Sequence, residues 1–438
     1  MRWFYEGTVD NQSGIDTLTE VFEARRVRQR TSVDTAARTI IDNVRLRKDV
    51  AVLELTRQFD CPSAAEIRVP IEAIDAACAR VAGSDLERAL IVARDRIYRF
   101  HMAHKRHTWV DDTVPGERMG QRIIPFRRVG IYVPGGRASY PSTVLMTAIP
   151  AMAAGVKSII MCTPAQPSNA LPSDGTLAAA RLAGVTDIFS IGGAQAIAAM
   201  AYGTETVPRV DKIVGPGNAF VNAAKRMVYG DVGIDMLAGP SEVAVLLDKT
   251  ADIEGAAREL IAQTEHDPMN AALLVCLSES IRQQVTEAVE RQLVTLPRAG
   301  IVRQALTEQS VSVVTTSMQL AIDVLDAFAP EHLHIDVHGA ADIAHRVTNA
   351  GAILIGPYTT AAHGDYLAGP SHCLPTAGAA RFSSPLNMDD FVKKSSLLYF
   401  DADAAAALAP FAATMATYEG LSGHARSAGL PGKVGVAL

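Results

Sequence analysis

The sequence has no Cys-x-x-Cys pair, no Gly-x-Gly-x-x-Gly and no Walker lysine motif. Its five cysteines (Cys61, Cys78, Cys162, Cys276, Cys373) are odd in number and scattered, mostly among apolar neighbours. That excludes a disulfide framework and points to buried, reduced thiols in a cytoplasmic protein. No cluster of lysine and arginine rises above a solvated face, and the net charge is −6. Nucleic acid and anionic membrane are therefore not expected partners. Met1 to Asp10 lacks an apolar stretch, so no secretory signal is expected there. The longest apolar run, Val144 to Val156, is interrupted by Pro150 and stopped by Lys157, too short to span a bilayer.

What is present is a chain of 438 residues, 48% hydrophobic, enough for sizeable cores in about three domains or sub-domains. Asp16 to Gln58 is helical in pattern, and Pro70 to Lys105 continues as amphipathic helix. His101, His104 and His107 recur at intervals of three and invite a metal reading. Arg99, Lys105 and Arg106 surround them and repel cations, so a wet, basic helix face is expected instead.

From Arg122 the pattern alternates. Strands at Val129–Val133, Ile159–Cys162, Ile188–Ile191 and Lys212–Val214 are separated by helices, with turns at Gly192-Gly193 and Gly215-Pro216-Gly217-Asn218. A second alternation runs from the strand Val243–Leu247 to the helix ending at Pro330. Strand and helix in turn mark parallel sheets covered by helices, here two sheets facing across a cleft. Strand-to-glycine-to-helix turns let a backbone approach a phosphate, although tight turns in any α/β fold look the same.

Within the second alternation, Ala262 to Pro268 ends a helix that Asp252 is placed to cap. Gln263 and His266, three residues apart, project about 60° apart on one side of it. They can aim an amide oxygen and an imidazole at one point, or merely cap a helix end. Three loops add chemistry: Pro330-Glu331-His332-Leu333, Gly364-Asp365-Tyr366 leading to Gly369-Pro370-Ser371-His372, and Glu419-Gly420-Leu421-Ser422-Gly423-His424. A neutral histidine is a good base for an alcohol proton near neutrality, and an adjacent carboxylate can orient it or activate water. Gln263, His266, Asp365 and His424 form an N/O set suited to zinc or a neighbouring divalent metal, and no sequence rule makes them converge.

Together these motifs resemble the histidinol dehydrogenase family. So do Gly130-Ile131-Tyr132-Val133-Pro134-Gly135-Gly136, the Ile191–Ala198 segment with its Gly-Gly-Ala-Gln core, Lys212–Asn218, Asp235-Met236 and Ala238-Gly239-Pro240-Ser241-Glu242. The resemblance runs from about Ile41 to His424. It implies NAD-dependent oxidation of L-histidinol to L-histidine through a bound aldehyde, at the end of histidine biosynthesis.

By residue match it implies zinc on Gln263, His266 and Asp365. His424 would supply a fourth ligand from the second subunit of an intertwined homodimer. Glu331 and His332 would be the acid–base pair. Ser241, Gln263, His266, His332, Asp365, His372, Glu419 and His424 would bind substrate, and Tyr132, Gln195 and Asn218 would contact NAD. The implied architecture is two Rossmann-like α/β domains. Residues 28–129 with 243–386 would carry the metal and catalytic residues, and 130–242 the nucleotide. Small helical extensions at 1–27 and 387–438 would serve dimerisation, the second exchanged between subunits.

Some positions depart from the family pattern: Ser371 where Asn is usual, Asp389 near where Tyr is common, Gly423 before His424, and the tail Pro431-Gly432-Lys433. Two further readings stand beside this one. The chain could be a related dehydrogenase for another small polar alcohol, such as a sulfonated propanediol. It could also be a zinc-dependent hydrolase or a zinc-binding protein without redox activity.

Overall fold

The computed structural model describes residues 3–28, 33–135, 138–185 and 187–429. The motif residue Gly136 and the tail Pro431-Gly432-Lys433 lie outside the described residues. In chain order the strands are β1 (Tyr5–Thr8), β2 (Trp109–Asp111), β3 (Glu117–Pro125), β4 (Arg128–Tyr132), β5 (Ser158–Thr163), β6 (Asp187–Ser190) and β7 (Lys212–Val214). They continue as β8 (Gly233–Ile234), β9 (Glu242–Leu247), β10 (Ala271–Cys276), β11 (Val311–Val314), β12 (His332–Asp336), β13 (Ala352–Ile355) and β14 (Val392–Phe400). The chain forms two compact units, Met1–His104 with Phe126–Phe391, and Lys105–Pro125 with Val392–Leu438.

The first unit holds two parallel sheets, as the alternation predicts. Six strands run in the order β1-β11-β10-β9-β12-β13 and five in the order β6-β5-β4-β7-β8. Strands β9 and β10 are buried along their whole length, the mark of parallel strands covered on both faces. Side chains alternate between those faces. Ala244, Leu246, Leu273, Val275, Leu333 and Ile335 pack with Phe22 and Phe328 on one side. Val243, Val245, Leu247, Ala272 and Leu274 pack with Ala257, Leu260 and Ile261 on the other. Helix Ile253–Thr264 therefore covers the face opposite Leu333 and Ile335, the face toward which His332 alternates.

The second unit is built on an antiparallel sheet, β14-β3-β2, with helices Ala402–Tyr418 and Ser422–Ser427. Residues 387–438 are thus not a purely helical extension. In β14 nearly every position is exposed, and the polar block Lys393 to Ser396 precedes an unbroken run Leu397 to Phe400, so no alternation of apolar and polar residues marks the strand. The N-terminal stretch differs from expectation in the same way. Tyr5–Thr8 adds an edge strand to the six-stranded sheet by pairing with β11, too short and polar to be read as one. Helix Asp34–Phe59 packs on helices Gly193–Tyr202 and Ala219–Val228 of the five-stranded sheet, although the family resemblance grouped it with the other one. Its apolar stripe, including Ile41, Val44, Val52 and Leu55, shows that a face is buried and not what buries it.

Two local expectations are corrected. Asp252 stands at the N-cap position of helix Ile253–Thr264, but its side chain makes no capping bond. Its backbone N–H donates instead to Asp336 Oδ2 at 2.7 Å. His101 does not lie on a wet face: it is fully buried, and burial pushes its imidazole down to about 4. His104 lies beyond the end of that helix, and His107 belongs to the second unit.

Candidate active site

Strand register builds the centre of the site. Strand β12 pairs with β9 with His332 opposite Val243, which sets Glu331 beside Glu242. Helix Met318–Phe328 ends in Ala329 at φ +52°, a left-handed cap that turns the chain into Pro330 and Glu331. Both Glu331 and His332 are buried. Glu331 Oε2 accepts the Glu242 N–H at 2.9 Å and lies 3.9 Å from His332 Nδ1. Nε2 of His332 meets Asp365 Oδ1 at 3.1 Å. A carboxylate accepts, so Nε2 carries the proton of the neutral ring and Nδ1 is its lone pair. Nδ1 is buried without a partner among the described residues.

Asp365 lies in the short helix Ala361–Tyr366, which a buried carboxylate ties to the 253–264 helix: Glu259 Oε2 accepts the Ala361 N–H at 2.8 Å. His372 is held between two partners. Its Nδ1 donates to the Asp365 carbonyl at 2.9 Å, and Thr143, from a helix beside the five-stranded sheet, donates to Nε2 at 3.1 Å. That chain of contacts joins elements of both parallel sheets at this point.

The electrostatics follow from burial and these partners. Burial pushes Glu331 up to about 7, with His332 and the Glu242 N–H pulling the other way. Burial pulls His332 down, but the Asp365 bond and the charges of Glu331, Asp365 and Glu259 outweigh it and leave the imidazole raised. Burial would lift Asp365, yet the His332 bond and the nearby His332, His372 and His266 hold its carboxyl below the usual range. His372 is lowered by burial and stays neutral near pH 7.

Gln263 sits buried in the last turn of the 253–264 helix, and its side-chain amide makes no hydrogen bond to a described residue. The helix stops at Thr264, so His266 lies one residue past its cap and is exposed. His266 is near enough to act on the Asp365 carboxyl. An uncommitted amide, an exposed imidazole and a carboxylate with one oxygen free make an N/O donor set that suits zinc. Among the described residues no group of three or more His, Cys, Asp and Glu is placed to hold a metal; this set has only two such residues. Glu419 and His424 belong to the second unit. Glu419 caps the C-terminus of helix Ala402–Tyr418 and His424 lies in helix Ser422–Ser427, both exposed. Ser241 precedes β9 and is positioned through its backbone, with its N–H on Asn270 Oδ1 and its carbonyl accepting from Ala271.

Tyr132, Gln195 and Asn218 lie at the C-terminal edge of the five-stranded sheet. Each spends one atom on the turns there. Tyr132 Oη accepts the Gly193 N–H, Gln195 donates to Asp60 Oδ2, and Asn218 Oδ1 caps helix Ala219–Val228. The Tyr132 hydroxyl proton, Gln195 Oε1 and Asn218 Nδ2 make no hydrogen bond to a described residue. Two helix N-termini open at the same edge, an arrangement that fits a dinucleotide. Cavities of about 590 and 320 Å³ lie elsewhere, one near Arg127 and Arg209 and the other near Phe4 and Phe328.

A family model described as histidinol dehydrogenase matches residues 23–430. The chain belongs to the histidinol dehydrogenase family. It is 47% identical over 398 residues to a histidinol dehydrogenase from Geobacter sulfurreducens, covering 90% of this chain and 92% of that protein. A histidinol dehydrogenase from Lactiplantibacillus plantarum is 44% identical over 395 residues, with 90% and 92% covered. The crystal structure of histidinol dehydrogenase from Elizabethkingia anophelis superposes with a TM-score of 0.90 at 34% identity, covering 98% of each chain.

The roles of four side chains of this family member escaped the sequence reading: Asp60, Thr143, Glu259 and Glu242, the last noted there only as part of a motif. Glu242 carried a usable signal, a charged residue opening a strand of otherwise apolar ones. Asp60, Thr143 and Glu259 carried none, because each meets its partner only through the fold. Ser371, one of the departures, is buried and donates to the Met146 carbonyl, so it braces the loop beside His372.

Proposed function

We propose that the protein oxidises L-histidinol to L-histidine through L-histidinal, in two successive NAD-linked steps. The observation that carries this reading is the buried Glu331–His332 pair tethered to Asp365, in a chain matched to the family over 23–430. His332 takes the alcohol proton as a general base, its ring oriented by Asp365. Glu331, with a carboxyl poised near neutrality, accepts a proton from the water that adds to the aldehyde. Bound NAD would take the hydride in each step, and Tyr132, Gln195 and Asn218 would position it.

Gln263, His266 and Asp365 would hold a zinc ion, with His424 of a second copy as the fourth ligand. The ion would orient the substrate through its amino and imidazole nitrogens. Ser241, His372 and Glu419 would contact substrate. Helix Ala402–Tyr418 supports the homodimer, since Phe411, Met415 and Tyr418 are 70%, 66% and 94% exposed on it. The zinc-loaded protein should be assayed side by side with histidinol, histidinal and a sulfonated propanediol. Preference for histidinol and histidinal is the expected result. Preference for the sulfonated alcohol would transfer the protein to a different substrate on the same framework.

A further inference from the structure

We propose that Arg25 is a positioning residue for Glu331, acting through the buried carboxylate of Glu242. The inference rests on the reading of Glu331 as the base of the aldehyde step.

Glu242 is the hub. Its side chain is 2% exposed and that of Arg25 10%, with NH2 of Arg25 donating to Oε1 at 2.8 Å. Oε2 of Glu242 accepts the Ala377 N–H at 3.0 Å, which fixes the loop following His372 to β9. The backbone N–H of the same residue donates to Glu331. The Arg25 guanidinium also lies 5.7 Å from the Phe328 ring, three residues before Glu331. Arg25 therefore touches both supports of that carboxylate, the hub on β9 and the helix end from which Glu331 hangs.

The physical need for a cation here is direct. Glu331 faces His332 on its own segment, Glu242 on β9 and Asp365 on the 361–366 helix. Two of these three are carboxylates. A buried carboxylate beside another makes the second harder to ionise unless a cation offsets it. Arg25 offsets Glu242, so Glu331 can release its proton near neutrality. The arginine lies far from the reacting groups in sequence and meets none of them, so no catalytic motif contains it.

The test uses the full-length, zinc-loaded enzyme with NAD and histidinal, following kcat and KM against pH. Arg25→Met should move the acid limb of kcat to higher pH by about one unit. That corresponds to roughly a fivefold fall at pH 7 that fades by pH 9, with KM unchanged. Arg25→Lys, which keeps the cation, should restore the limb. Glu242→Gln, which removes a neighbouring negative charge, should move it to lower pH. A uniform loss at every pH would overturn the proposal. Should Arg25→Met fail to fold, Glu242→Gln decides: an unmoved limb overturns it. Glu331→Gln is run alongside. If it leaves histidinal oxidation intact, the base assignment itself fails. If it abolishes oxidation while Arg25→Met and Glu242→Gln leave the limb in place, only the Arg25 relay fails.

Discussion

His332 Nε2 and Asp365 Oδ1 lie 3.1 Å apart, so one hydrogen bond joins the proposed proton acceptor to a proposed metal ligand. The bond fixes the tautomer of the ring, leaving Nδ1 as its lone pair on the side of Glu331. Proton chemistry and metal binding thus share a support, and substitutions at the two residues should be separable by what each removes.

His332→Asn keeps a polar group of similar size and removes the base. Turnover of histidinol should fall by roughly two to four orders of magnitude, as for a lost general base, with zinc retained. Metal analysis and steady-state kinetics on the same preparation check both halves. Unchanged turnover would remove His332 from this role.

His266→Ala should lower metal content and activity together, because the exposed imidazole beside Asp365 has no competing partner among the described residues. Zinc per subunit measured by atomic absorption checks it. Full occupancy in the variant would contradict the ligand assignment.

Glu331 makes stability depend on pH in a defined direction. Its folded carboxyl is raised from 4.5 to about 7 by burial, so the native state holds a proton that the unfolded chain has released. The proton-linked stability is complete below about 4.5 and is lost as pH rises to about 7, a cost of order 3 kcal/mol. Glu331→Gln cannot ionise and can still accept the Glu242 N–H. Metal-free variant should therefore melt above metal-free wild type at pH 8, and the gap should shrink at pH 5. Equal gaps at both pH values would show that Glu331 ionises normally.

Gly215→Ala should damage the nucleotide side. Gly215 has φ +114°, and a Cβ there would lie 2.1 Å from the Tyr132 carbonyl oxygen, which is backbone and cannot step aside. The turn also fixes the lead into the helix capped by Asn218. Loss of thermal stability of about 1–3 kcal/mol together with weaker NAD binding in a titration is expected. Unaltered binding would detach this turn from the nucleotide.

Much of this was legible in the residues because the strongest signals are local. The apolar runs of β9 and β10 and the glycine turns after β6 and β7 declare parallel strands and their helices. Gln263 and His266 stand out as neighbouring polar residues at a helix end, although the helix stops at Thr264 and helical spacing does not relate them, and Glu331 and His332 stand out through adjacency. What stayed hidden depends on distant packing. Tyr5–Thr8 has no pattern of its own and becomes a strand only because β11 offers an open edge. In β14 polar and apolar residues fall in blocks, Lys393 to Ser396 and then Leu397 to Phe400, and pairing with the distant β3 makes them a strand. His101 looks like part of a basic stripe, yet its place in the helix buries it. Asp60 reaches Gly192 and Gln195 from more than a hundred residues away, a meeting that no local spacing encodes.

The most direct test of the central claim is the amount of NADH released per histidinol consumed by the zinc-loaded protein. The account predicts about two NADH per substrate, with histidine as the product, because the same site oxidises the alcohol and then the aldehyde. Release of one NADH with histidinal accumulating, or of none, would contradict it.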